Sequence, residues 1–151
     1  MDCYAIFAFG YDLGDGGLTK LKEYDSSFSD LPDVAWYDPD GNCDAFIMQA
    51  ESRLLTAAGV THSMWGDLEE LMKEHVGVWF KPYGYGESKY LLLAHILETD
   101  LDDDPRPVDL AELTKRVVQD GLDTKLANAL EVLGVTPEQE RPAWLHCAWS
   151  A

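Results

Sequence analysis

The chain has 151 residues, 46% of them hydrophobic and 26% charged, with 28 Asp and Glu against 11 Lys and Arg for a net charge of −17. That length suits one domain burying roughly 70% of the surface its unfolded chain would expose, and the apolar fraction excludes wholesale disorder. The charge argues against direct binding to a nucleic-acid backbone or an anionic membrane, both of which need an excess of Lys and Arg; the seven Lys and four Arg form no run.

The first predicted element is a strand over Cys3 to Phe9, apolar on both alternating faces and therefore covered on both sides. The glycines from Gly10 to Gly17 read as a loop after it. Residues 25–44, rich in Asp, Ser and Pro, read as a long surface loop pinned by Trp36 and Tyr37. A helix is expected from Asp44, with Phe46, Ile47, Ala50, Leu54, Leu55 and Ala58 as its buried stripe and Gly59 as its C-terminal cap. A second starts after Thr61 or Ser63 and carries Met64, Leu68, Leu71, Met72 and His75 on one side.

Residues 76–80 and 90–97 then predict a hairpin, turning through Pro82-Tyr-Gly-Tyr-Gly86. After an acidic, proline-punctuated break at 100–107, Asp109 with Glu112 forms a capping box for a helix through Val118. Another helix runs from about Thr124 to Leu133 and closes at Gly134. Thr136-Pro137 reads as the start of a short helical turn, and Ala143 to Trp149 as a final strand. The first and last strands are expected neighbours, since both are apolar on both faces and neither has a hairpin partner. The fold class is α+β: a single domain over residues 1–151, a mainly antiparallel sheet of about four strands, and four or five packed helices.

No apolar stretch reaches the roughly 18 residues of a membrane span. Asp2, with no Lys or Arg before the first apolar run, is unlike the start of a signal peptide. Cys3, Cys43 and Cys147 are too few for a disulfide framework. A soluble cytoplasmic protein with reduced thiols is the expectation.

Five constellations bear on function. Asp38, Asp40, Asn42 and Asp44 alternate as in a calcium loop, but Cys43 and Gln49 stand where an EF-hand needs Gly and Glu; the plainer reading is an Asp-Pro-Asp-Gly turn followed by Asp44 as a helix cap. The glycine-rich loop at 14–17 lacks the Lys and Ser or Thr of a phosphate cradle, and Asp12 and Asp15 would repel a phosphate. Cys3, His95, His146 and Cys147 all fall on predicted strands. His146 and Cys147 must point to opposite faces, so one site cannot use both, and a Cys–His pair such as Cys3 with His95 or His146 is the candidate. Tyr83 and Tyr85, beside Lys81 and Lys89, are candidate contact residues at the hairpin turn.

The fifth constellation is the acidity. Glu98, Asp100, Asp102, Asp103 and Asp104 fall within seven residues, and Asp25, Asp30, Asp33, Asp38, Asp40 and Asp44 form a dispersed second group. A solvated face that maintains solubility is one reading. The other is a surface that presents carboxylates where DNA presents phosphates and so occupies a basic protein. The leading expectation is a non-enzymatic protein acting through protein–protein contacts, with a basic protein as partner, and an acidic decoy as its sharpest form. The alternatives are a small-molecule or calcium-binding domain, and an enzyme using a Cys–His or carboxylate pair without a recognised motif. No motif specifies a family.

Overall fold

The computed structural model describes residues 2–27, 30–40, 45–63 and 65–150. Strand β1 spans Cys3–Asp15, thirteen residues, and so runs through the glycines that the sequence reads as a loop. The reason lies in Gly10. A Cβ there would stand 2.0 Å from the Leu92 carbonyl oxygen and 2.7 Å from Leu93 Cα, so only glycine lets β1 approach its neighbour this closely. The register shifts at this point, with Phe9 opposite His95 and Gly10 opposite Leu93, and again between Asp12 and Gly14. Such bulges bend a strand and raise its local twist.

That curvature lets the sheet close. β2 (Trp79–Tyr85) and β3 (Lys89–Asp100) form the hairpin, but it turns at residues 86–88 instead of 82–86, and Pro82 lies inside β2 opposite Tyr90. A proline is tolerated there because β2 meets its other neighbour only farther along, at Gly84 and Tyr85. β4 (Ala143–Ser150) lies antiparallel to β1, Cys3 facing Ser150 and Gly10 facing Ala143, so the two outermost predicted strands are neighbours. The sheet is mixed: three antiparallel pairings and a two-residue parallel seam, Gly84 with Trp149 and Tyr85 with Ser150, close a barrel in the order β1-β3-β2-β4.

Four helices complete an α+β fold: α1 (Phe46–Ala57), α2 (Leu68–His75), α3 (Leu110–Gln119) and α4 (Leu122–Leu133). α2 begins later than the Thr61 or Ser63 signal suggests, because Asp67 is its cap, its carboxylate accepting from Glu70 N–H at 3.2 Å. Asp109 caps α3 as the capping-box spacing predicts, accepting from Glu112 N–H at 3.1 Å. Gly134, left-handed with φ 65°, ends α4. Thr136-Pro137 is not helical. Pro137 bridges Leu21, Lys22 N–H donates to Thr136 O, and Glu138 N–H donates to Lys20 O.

Two cores share the barrel wall. Ile6, Ala8, Leu91 and Leu93 form a small one, with Tyr83, Ile96, Leu145, Cys147 and Trp149 packed against it; every member comes from a strand. The larger one joins the other strand face, Phe9, Tyr11, Leu13, Phe80, Leu92 and Ala94, to the helices through residues such as Ala50, Leu54, Leu55, Met72, Leu126 and Leu133. The 30–40 stretch is tied to it. Leu31 and Val34 are buried, Trp36 stacks on Phe46 at 5.3 Å between centroids, and its indole N–H donates to Leu133 O at 2.7 Å. Among the described residues no helix is long and apolar enough to cross a membrane.

Candidate functional site

The acidic residues at the end of β3 gather partly through strand register. Tyr4 stands opposite Asp100, which brings Asp2 to the same end of the barrel as the 98–104 run. The field is visible at Tyr4, whose phenol is raised above its ordinary value by the carboxylate of Asp2 first, and also by Asp100 and Glu98. Residues 101–110 are all exposed, including Asp102, Asp103 and Asp104. Asp103 folds back to accept from Asp100 N–H at 2.9 Å. Cationic relief is limited: Lys81 lies 3.6 Å from the Glu98 carboxylate, and Arg106 donates to the Glu98 carbonyl and to Thr99 instead of to an acidic side chain.

Apolar side chains stand among these acids. Leu101 is 75% exposed and Leu110 65%, on either side of the Asp102–Asp104 run and Pro107. α3 buries only Leu113, so the helix that follows the acidic segment keeps most of its surface in water. An exposed segment that interleaves carboxylates with large apolar side chains has both kinds of group that an interface core and rim require.

The two tyrosines of the hairpin have different environments. Tyr85 is 77% exposed. Tyr83 is half-buried on the barrel interior, where its hydroxyl donates to Asp12 Oδ1 at 2.6 Å and its ring lies 5.9 Å from Lys89 Nζ. Burial, with the hydrogen bond and charge of Asp12, pushes the Tyr83 phenol well above its ordinary value. Burial alone would raise the Asp12 carboxyl too. Hydrogen bonds from Lys20 at 2.5 Å, from Tyr83 and from Gly14 N–H outweigh it and hold Asp12 below the usual carboxylate range. Tyr85 is therefore the tyrosine that the turn presents.

In the 38–44 segment, Asp38 and Asp40 are described and Asn42 and Asp44 lie outside the described residues. Asp38 Oδ1 accepts from Asp40 N–H at 3.0 Å, the geometry of an Asx turn. Gln49 of α1 clamps the same residue, its Oε1 accepting from Asp38 N–H and its Nε2 donating to Asp38 O. Among the described residues no group of three or more His, Cys, Asp and Glu could hold a metal ion.

The register separates the Cys–His candidates. Cys3 faces Ser150, and its thiol donates to Ser150 Oγ at 3.4 Å. His95 faces Phe9, six positions up β1 from Cys3, and His146 faces Phe7, four positions up. At about 3.3 Å per residue those intervals are roughly 20 and 13 Å, too far for proton transfer. His146 is exposed while Cys147 packs on the inner cluster, as the strand period requires. His95 lies edge-on to Trp144, and burial, with a smaller push from Arg116, lowers its pKa.

Sequence reasoning missed one buried charge. Glu51 is 9% exposed, the only charged or polar residue buried among those described. Its position carried the signal, since it lies four residues after Ile47 and three and four before Leu54 and Leu55, in the middle of the predicted apolar stripe. Burial, then the carboxylates of Glu69 and Asp67, pushes its pKa from the ordinary 4.5 to about 7. Glu51 lines a cavity of about 510 Å³ between α1, the start of α2 and the β2–β3 hairpin.

Comparison with protein-family models, with curated proteins and with solved structures finds no match for this chain.

Proposed function

We propose that this chain is a non-enzymatic binding protein whose partner is a basic protein, docked on the 98–110 face. The supporting observation is the composition of that face: Asp100, Asp102, Asp103 and Asp104, joined by Asp2 through strand register, surround exposed Leu101 and lead into exposed Leu110. Carboxylates of one sign steer a basic partner and exclude an acidic one, while the two leucines supply apolar area for the contact to hold. A net charge of −17 strengthens the steering over the whole molecule. An acidic decoy that occupies the nucleic-acid site of its partner is the sharpest form of this reading.

The test is capture of the tagged chain's partner from native lysate at low and high salt, beside a variant carrying Asp102→Lys, Asp104→Lys and Leu101→Ser. One basic protein retained by the natural chain, released as salt rises and not retained by the variant supports the reading. Equal retention by both chains overturns it. If the captured protein binds DNA, competition between the chain and DNA for that protein decides the decoy form.

A further inference from the structure

The cavity beside α1 has a chemistry that the acidic face lacks. Its deepest polar group is Glu51, nine-tenths buried and without a hydrogen bond or ion pair among the described residues. A carboxylate this buried normally recruits donors from the protein; the Glu51 oxygens instead keep contact with solvent only through the cavity, which leaves them to a donor that enters it. Here the surroundings add more negative charge. Glu69 from α2 and Glu87 from the hairpin turn also line the space, and Asp67 at the start of α2 lies near enough to repel Glu51. Among the described residues Lys81 is the one cation on the wall, and its charge is already engaged. Its Nζ lies 3.6 Å from the Glu98 carboxylate and 5.7 Å from the centroid of the Trp149 ring. The remaining wall is apolar and aromatic, built from Phe80, Tyr90 and Trp149.

We propose that this cavity binds a small primary amine, its ammonium group donating to Glu51 and its alkyl chain lying against Phe80, Tyr90 and Trp149. An ammonium supplies three N–H donors, the groups that Glu51 lacks. The aromatic wall suits both the alkyl chain and, at ring faces, the cation itself. A bare metal ion fits less well, because it needs several protein ligands converging on one point, and the described residues hold no such group. The site is independent of the 98–110 face, so either can fail without the other.

Binding an ammonium requires the ionised carboxylate. The groups facing Glu51 are Glu69 and Asp67 from α2, Lys81 from β2, Glu87 from the turn and the Tyr90 hydroxyl from β3; the nearest acids disfavour its ionisation in the empty site. Amine binding therefore releases a proton and tightens as pH rises through neutrality. With a pKa of about 7 in the empty cavity, affinity at pH 6 is about tenfold lower than at pH 8.

The probe is n-butylammonium chloride, titrated at moderate salt and followed by backbone amide chemical shifts, with n-butanol as the uncharged control. The expected result is saturable shifts centred on residues around Glu51, about tenfold weaker at pH 6 than at pH 8, and absent with butanol. Glu51→Gln abolishes them, whereas Glu131→Gln, an exposed change on α4 that removes the same charge, leaves them intact. Glu69→Gln moves the pH midpoint downward, a readout that does not depend on the buried substitution being tolerated. No saturable shift, equal binding by Glu51→Gln, or equal loss in Glu51→Gln and Glu131→Gln overturns the proposal.

Discussion

The Tyr83 hydroxyl reaches 2.6 Å to the Asp12 carboxylate and so links β2 to β1, two strands that never pair with each other in the barrel. The bond crosses the barrel mouth. Lys20 joins the same carboxylate from the loop after β1, and Gly14 N–H donates to it from within β1, so one acidic side chain ties together β1, that loop and β2.

Removing the hydroxyl tests that bond. Tyr83→Phe costs about 2 kcal/mol, the usual range for a hydrogen bond to a charged group. Because the folded Asp12 pKa is lowered, its contribution is present above its ordinary value of 3.8 and is lost as pH falls through the lower folded value. Urea unfolding of the two chains at neutral pH and in acid should show a gap that narrows only in acid. A gap that is constant with pH would place the loss elsewhere than in the Asp12 bond.

Gly10 and Gly59 make a paired test of why each glycine is there. Gly10→Ala drives a Cβ into the Leu92 carbonyl at the closest approach of β1 to β3, and the expected cost is more than about 3 kcal/mol, enough to lose much of a marginal fold. Gly59→Ala meets open space and strains only its left-handed backbone, with φ 75°, for about 1 kcal/mol. Comparable thermal midpoints for the two variants would contradict the close-approach account of β1.

Glu51 gives stability a pH dependence of the opposite sign to Asp12. Its folded pKa is raised from 4.5 to about 7, so the folded state holds this proton more tightly than the unfolded chain does. Its contribution is complete below about 4.5 and disappears as pH rises through about 7, a change of about 3 kcal/mol at 1.36 kcal/mol per unit. Glu51→Gln removes that slope. Unfolding free energies of both chains between about pH 5 and pH 8 are the check, and parallel curves would mean that Glu51 ionises freely.

The Trp36 indole is one tie between the acidic loop and the helices, beside the Gln49 clamp on Asp38. Trp36→Phe keeps the stacking on Phe46 but orphans the Leu133 carbonyl at the end of α4, for about 1–2 kcal/mol. Hydrogen exchange should quicken first in residues 30–37 and at the end of α4. Unchanged protection in both would show that the loop is held without the indole bond, by its buried Leu31 and Val34 and the Gln49 clamp on Asp38.

Much of the architecture is legible in the residues. β1 and β4 could be paired from sequence because both are apolar on both faces and neither has a hairpin partner, but the expected cover on both sides is not there: β4 buries no residue and Ala5 of β1 is exposed. The Asp109–Glu112 spacing and Gly134 place the ends of α3 and α4 because capping is local. What escapes is set by long-range contact. Gly10 looks like the start of a loop until Leu92 is opposite it, and Pro82 looks like a turn until β2 is seen to lack a neighbour on that side. With β1 ended at Phe9, Asp12 had no face, so its meeting with Tyr83 was invisible. Glu51 could have been found, since a charge in the middle of an apolar helical stripe is unusual, but only the cavity beside it gives that charge a use.

The pairing of Cys3 with Ser150 sets a timetable for biosynthesis. Those two residues are 147 positions apart, and at 5–20 residues per second a ribosome needs roughly 7–30 s to travel between them. Once β3 has emerged β1 can pair with it on one flank, while its other flank stays bare until β4 is made. The ring cannot shut until β4 has emerged, so until then β1 keeps one flank of unpaired N–H and C=O groups, a template on which another chain could pair.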